Sequence, residues 1–333
     1  MSGILMNPEV VKLAYQRIKG YLHQTPIVTS ETLDDALGHK IYFKVESLQK
    51  TGAFKVRGSL NHLLALKEER KLPSKVVAYS TGNHGIGLAW AAKKLGISAR
   101  IYLPENTAQV KQQAAKYYGA EVIYTKTRAE AEKMTKLDGG NGFYYMHPSD
   151  SDLTIAGAGT LCYEAINQLG FAPDAIFASC GGGGLLSGTY LAKELTSPTT
   201  LLFGCEPENA NDAYKSVSEG KIFRFSESPD TVADGLRTLG VSERTFQYLK
   251  KLDGIYLGNE SDIYYWTAWL IHLLKIECEP SCAINMTGIT QWIKTQSKPR
   301  NILVLISGGN IDPSLYREIW SGNFLAESLQ SRC

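Results

Sequence analysis

Short runs of β-branched and apolar residues alternate along this chain with stretches of helical periodicity. Val76–Tyr79, Arg100–Leu103 and Glu121–Tyr124 read as strands. Between them, Asn83–Leu95 and a segment from about Ala108 to Tyr118 read as helices, stopped by Gly96 and Gly119. The pattern resumes at Ala175–Ser179, Leu201–Cys205, Gly254–Leu257 and Asn301–Ile306. Strands alternating with helices predict a parallel sheet covered by helices. Each later strand ends at a glycine or a polar cluster, and open α/β sheets bind ligands beyond the carboxyl ends of their strands. Residues 125–142 form the most polar stretch and are expected at the surface.

Composition narrows the class. The 333 residues are 44% hydrophobic and 20% charged with a net charge of +2, an ordinary soluble balance without general attraction to nucleic acid or anionic membrane. No apolar run reaches the ~20 residues of a membrane span, and the first residues lack the features of a signal peptide. Six scattered cysteines predict reduced thiols and a cytoplasmic protein. Cys278 and Cys282 lack a second Cys or His pair and read as structural.

The chemistry lies at the strand ends. Gly181, Gly182, Gly183 and Gly184 follow a strand and precede a helical pattern, a geometry that cradles an anion on backbone N–H groups. Neither G-x-G-x-x-G nor G-x-x-x-x-G-K-[ST] is met, so a small phosphorylated cofactor fits better than a nucleotide. Lys55 follows Thr51-Gly-Ala-Phe54 at a helix start. A lysine that reacts through a neutral amine needs a pKa lowered by an apolar or cationic setting, and Phe54 and Arg57 are candidates to supply it.

The order of these motifs, with Ser80-Thr81-Gly82-Asn83-His84-Gly85 and Ser307-Gly308-Gly309-Asn310, resembles pyridoxal-phosphate enzymes of the serine/threonine dehydratase and serine racemase family. Gln49-Lys50 is similar to that branch. The resemblance implies an α/β fold of type II, like the tryptophan synthase β subunit, with two parallel or mixed-sheet lobes and the cofactor between them. Residues 1–70 and 153–333 would form the large lobe and 71–152 the small inserted one. His147-Pro148-Ser149 would lie at the hinge.

By the same resemblance Lys55 carries pyridoxal 5'-phosphate and removes the substrate's α proton. Phe54 packs beside the ring, Asn83 meets its hydroxyl, Gly181 to Gly184 bind its phosphate and Ser307 meets its nitrogen. Ser80, Thr81, Asn83 and His84 hold the substrate, and Thr81 is a candidate second acid on the opposite face. Glu279-Pro280 and Ala233-Asp234-Gly235 resemble segments near the ring. Glu206, the Ala210 carbonyl and Asp212 match a metal segment for Mg²⁺, Ca²⁺ or Mn²⁺.

The implied reaction is α,β-elimination from L-serine, L-threonine or a related β-hydroxy amino acid to a 2-oxo acid and ammonia. Serine racemase is the alternative, and 3-hydroxyaspartate is a further substrate if Arg57 or another basic residue holds its second carboxylate. A β-replacement transferase and a non-enzymatic pyridoxal or nucleotide binder are the more distant readings. Biosynthetic threonine dehydratases carry a further regulatory domain, whose lack here favours a catabolic enzyme or racemase. A homodimer is implied.

Overall fold

The computed structural model describes residues 5–80 and 82–332. Two sheets organise them. The strands are β1 (Ile27–Val28), β2 (Lys40–Val45), β3 (Lys75–Tyr79), β4 (Ser98–Pro104), β5 (Glu121–Thr125), β6 (Tyr144–Tyr145), β7 (Ala175–Ser179), β8 (Leu201–Pro207), β9 (Gly254–Gly258) and β10 (Asn301–Ile306). The larger sheet has the order β1-β2-β10-β7-β8-β9 and the smaller one β5-β4-β3-β6. All pairings are parallel except β1 with β2 at one edge.

Parallel sheets are covered on both faces, so their central strands are apolar throughout. All five residues of β7 are buried, as are Ile302 to Ile306 of β10. One face of the larger sheet packs Phe177 and Phe203 against Trp266 and Trp292. The other packs Ile176, Leu303 and Leu305 against Ile155, Leu161 and Leu186. The smaller sheet has its own core, with Leu60, Leu63, Val76 and Ile101. Each fully buried side chain of this kind contributes about 1.5–3 kcal/mol.

The register aligns the strand ends. Ile306 pairs with Val45, and Ser179 with Cys205. The segments after β2, β10, β7 and β8 therefore emerge along one rim of the larger sheet, and Ser80 to Asn83 emerge from β3 of the smaller one. The glycine loop is held by a tight helix crossing. The helices Asp152–Leu169 and Gly184–Thr196 meet at Gly159 and Gly188, where a Cβ on either residue would strike the other's backbone.

Among the described residues no helix is long and apolar enough to cross a membrane. The Cys278 and Cys282 sulfurs are 3.6 Å apart, free and buried, and Cys282 donates to the carbonyls of Glu279 and Gly308 at 3.1 and 3.2 Å. Both thiols are part of the packing of the larger sheet's core. Residues 125–142 lie mostly at the surface, as expected, with Thr125, Ala131 and Thr135 buried. Arg128–Gly139 is a helix, and Arg128 at its start turns into the cleft.

Candidate active site

The cleft at the strand ends is walled by Lys55, Asn83, the four glycines, Glu279 and Ser307. Sequence-distant segments are fastened together there. Phe54 N–H donates to the Ser307 carbonyl at 2.9 Å, and Gly309 N–H to the Gly52 carbonyl at 2.9 Å. The loop carrying Lys55 is thus tied to the end of β10, which brings Lys55 and Ser307 into the same cleft.

Lys55 opens the helix Lys55–Glu68. Its amine lies 5.0 Å from the Phe54 ring centre and donates to the Pro148 carbonyl at 3.3 Å. Burial lowers its pKa to about 8, and the Arg128 guanidinium adds to the shift. Arg57 plays no part in this. It is buried away from the cleft, bonded to Glu46 at 2.7 Å and Glu164 at 2.9 Å, beside the Lys44–Glu164 pair. Two cations and two carboxylates balance there. The reading of Arg57 as a substrate ligand or a pKa-lowering neighbour of Lys55 is therefore corrected.

The glycine loop is shaped for a ligand that approaches the backbone. Gly183 has φ 79°, a left-handed conformation natural to glycine. A Cβ at Gly182 or Gly184 would run into Ser149, and one at Gly181 would come within 3.1 Å of the Gly235 carbonyl. The loop ends at the N-terminus of a helix, where unpaired N–H groups and the dipole favour an anion.

Asn83 sits at the start of the helix Asn83–Leu95. Its Nδ2 donates to Glu279 at 2.9 and 3.1 Å, and its Oδ1 accepts from Asn310 Nδ2 at 2.8 Å. The Ser80 hydroxyl accepts from the N–H groups of Gly82 and Gly85, both at 2.9 Å, and so caps this helix. His84 Nε2 meets the Met146 carbonyl at 3.1 Å, and burial lowers its pKa to about 3. Both side chains line the cleft but are already engaged within the protein. Thr81 lies outside the described residues.

Three contributors escaped the sequence reading. Arg128 faces the cleft near Tyr79, 5.6 Å from its ring centre, and bonds to the Arg237 carbonyl. Lys111 is buried against Asp234 and Glu279. His147, treated only as part of a hinge, lines the cleft as a neutral imidazole. Its Nδ1 accepts from Ser149 and Asp150 N–H at 3.2 and 2.8 Å, and burial lowers its pKa to about 4. Arg128 and Lys111 lie in no motif, so no local signal marked them, and the segment of His147 signalled only a hinge.

The residues of the predicted metal segment lie outside the lining of the cleft. Glu206 and Asp212 are wholly buried. Glu206 accepts from Ala213 N–H at 3.1 Å and Tyr214 N–H at 2.7 Å. Asp212 Oδ1 accepts from Thr238 at 3.0 Å, whereas its buried Oδ2 has no partner among the described residues. Burial raises both carboxyls, and Asp212 raises Glu206 further. Ala210 ends the 3₁₀ turn Glu208–Ala210 between them. No cluster of three or more His, Cys, Asp or Glu side chains among the described residues could hold a metal ion.

Residues 18–308 match the model of the family described as "Pyridoxal-phosphate dependent enzyme". The chain belongs to that family. It is 38% identical to a serine racemase of Dictyostelium discoideum over 93% of this chain and 96% of that protein. It is 36% identical to an L-threo-3-hydroxyaspartate ammonia-lyase of Saccharomyces cerevisiae, covering 93% and 94%. The processed form of threonine deaminase isoform 2 from Solanum lycopersicum superposes with a TM-score of 0.88 at 30% identity, covering 95% of this chain and 88% of that one. The fold of these relatives is the type II fold implied by the sequence motifs. Its two sheets and the cleft described above are those of a pyridoxal-phosphate enzyme.

Proposed function

We propose that this chain is a pyridoxal-phosphate-dependent ammonia-lyase that converts a β-hydroxy amino acid to a 2-oxo acid and ammonia by α,β-elimination. The observation that carries the reading is Lys55, a buried amine with its pKa lowered to about 8 in a cleft shared with the glycine loop, Asn83 and Ser307. The residues fit the cofactor. The glycine loop would hold the phosphate, Phe54 would lie beside the ring, Asn83 would meet the ring hydroxyl and Ser307 the ring nitrogen. Residues 71–152 would act as the small lobe, and the protein as a homodimer.

Bound pyridoxal phosphate supplies the electron sink that makes the α proton acidic. The neutral amine of Lys55 then takes that proton as general base. Ser307, which lines the cleft, would offer the ring nitrogen a hydroxyl rather than a carboxylate, which would leave the sink weak and suit departure of the β-hydroxyl as the proton is lost. Loss of water leaves aminoacrylate or aminocrotonate, and its hydrolysis returns the water and releases ammonia with the 2-oxo acid.

Arg128 favours a dicarboxylic substrate as a specific form of this reading. It is a guanidinium at the cleft near Lys55, and guanidinium binds carboxylate with two parallel hydrogen bonds. 3-Hydroxyaspartate therefore joins L-serine and L-threonine, and the yeast relative acts on that compound by its name. Serine racemase activity is the second reading, supported by the Dictyostelium relative. It requires an acid on the face opposite Lys55, the role proposed for Thr81.

Glu206, the Ala210 carbonyl and Asp212 are proposed to hold Mg²⁺, Ca²⁺ or Mn²⁺. Two buried carboxylates and an unpartnered oxygen suit a hard cation. The test of the reading is 2-oxo acid release by the cofactor-loaded protein with Mg²⁺, from L-serine, D-serine, L-threonine and the 3-hydroxyaspartates. Release from at least one is expected. Enantiomer exchange without release would replace the lyase by the racemase.

A further inference from the structure

Lys111 is a buried cation that the chemistry above leaves unused. It lies in the first turn of the helix Gln109–Tyr117, beside the smaller sheet, and is 2% exposed. Its ammonium donates to Asp234 Oδ2 at 2.7 Å and to Glu279 Oε2 at 3.2 Å. Asp234 opens the 3₁₀ turn Asp234–Leu236, and Glu279 caps the helix Pro280–Ala283 beside the end of β10. One side chain thus spans the cleft from the smaller-sheet side to the larger.

The contacts continue from Glu279 to Asn83. Glu279 Oε1 accepts from Asn83 Nδ2 at 2.9 Å and from Asn310 N–H at 2.8 Å, and Asn310 Nδ2 donates in turn to Asn83 Oδ1 at 2.8 Å. The Asn83 oxygen is directed by Asn310 and one amide N–H by Glu279. Both Glu279 oxygens lie within reach of that nitrogen, at 2.9 and 3.1 Å, so the carboxylate sets the tilt of the amide that lines the cleft. The stem of Lys111 runs over Gly82, where a Cβ would strike its Cδ, and Gly82 has φ 149°. The lysine is held against the loop that leads into Asn83.

Charge explains why the lysine matters. Lys111 faces two carboxylates, the buried Glu279 and the partly exposed Asp234, so without it they would face each other without its charge between them. Burial already raises the Glu279 pKa. Loss of Lys111 would drive Glu279 to its protonated form, which donates a hydrogen bond from an oxygen that now accepts. The direction of the Asn83 amide would then be lost.

We propose that Lys111 is a positioning residue: by bonding to Glu279 across the cleft, it fixes the amide of Asn83 toward the pyridoxal ring. The cofactor ring is gripped fully only when the helix Gln109–Tyr117 is docked on the larger lobe. The inference rests on the reading that sets Asn83 against that ring.

The test is the dissociation constant of pyridoxal phosphate, measured by equilibrium dialysis on the full chain and on variants whose folding is checked by thermal unfolding. Lys111→Met is expected to weaken binding about tenfold, the value of one oriented hydrogen bond. Lys111→Arg should restore most of it. In an Asn83→Ala background, Lys111→Met should cause no further loss. If Lys111→Met does not fold, Glu279→Gln cuts the same relay one step later and carries the same prediction against Asn83→Ala.

Additive losses, or wild-type affinity in Lys111→Met, would overturn the relay. Unchanged affinity in Asn83→Ala would overturn the placement of the ring and the relay with it. No turnover enters the measurement, so failure of the lyase reading leaves its outcome intact.

Discussion

A solvated lysine holds its proton to about pH 10.4, whereas the buried amine of Lys55 gives it up near about 8. Only the neutral amine can capture the cofactor. The capture rate of cofactor-free protein should therefore rise with pH and level off above about 8, as read by stopped-flow absorbance. A rise continuing to about pH 10 would mean that burial does not tune this amine. Arg57 and Arg128 make opposite predictions. Arg57→Leu strands the buried Glu46, while Glu164 keeps Lys44, and should cost about 3–5 kcal/mol of stability in denaturant unfolding, with substrate preference unchanged. Arg128→Ala should keep the stability and lose any preference for 3-hydroxyaspartate over L-serine. Thr81→Ala should spare 2-oxo acid release and abolish exchange between serine enantiomers, measured by chiral chromatography. The place of Lys55 in the cleft was legible because its signal is local, in Thr51 to Gly58. The place of Arg128 there was not, because its helix reads as polar surface and only folding brings it to the cleft.

At the scale of elements, the site depends on how two helices cross. Gly188→Ala would push a methyl into the backbone of Gly159 and shift the helix that begins at Gly184. A loss of about 1–3 kcal/mol is expected in denaturant unfolding, with weaker cofactor binding from the displaced loop. The strands that carry the glycine loop and Ser307 were legible to the residue, because β7 and β10 are buried apolar runs bounded by polar or glycine segments. β2 was missed. Its Lys44 is wholly buried and bonds to Glu164 at 2.5 Å, so a charged residue occupies a core position and breaks the apolar pattern. β1 and β6 have two residues each, too few to show any period.

At the scale of the molecule, two sheets meet around one cleft, and a buried carboxylate pair lies apart from its chemistry. In the metal-free protein Asp212 holds its proton to about pH 7, above the 3.8 of a free aspartate. The folded state thus binds the extra proton, and its contribution to stability is present at low pH and lost as pH rises through about 7. A divalent cation would replace that proton. The gain in melting temperature from Ca²⁺ or Mg²⁺ should be larger at about pH 8 than at about pH 6, and should vanish in Asp212→Asn.

The central claim is that Lys55 takes the α proton as the β-hydroxyl leaves. Its most direct test is one NMR experiment on L-serine and 3-hydroxyaspartate in D₂O, with cofactor-loaded protein and its Lys55→Ala variant. The account predicts that the wild type forms 2-oxo acid faster than it exchanges enantiomers, and that the variant does neither. Formation of 2-oxo acid by Lys55→Ala, or enantiomer exchange without 2-oxo acid in the wild type, would contradict it.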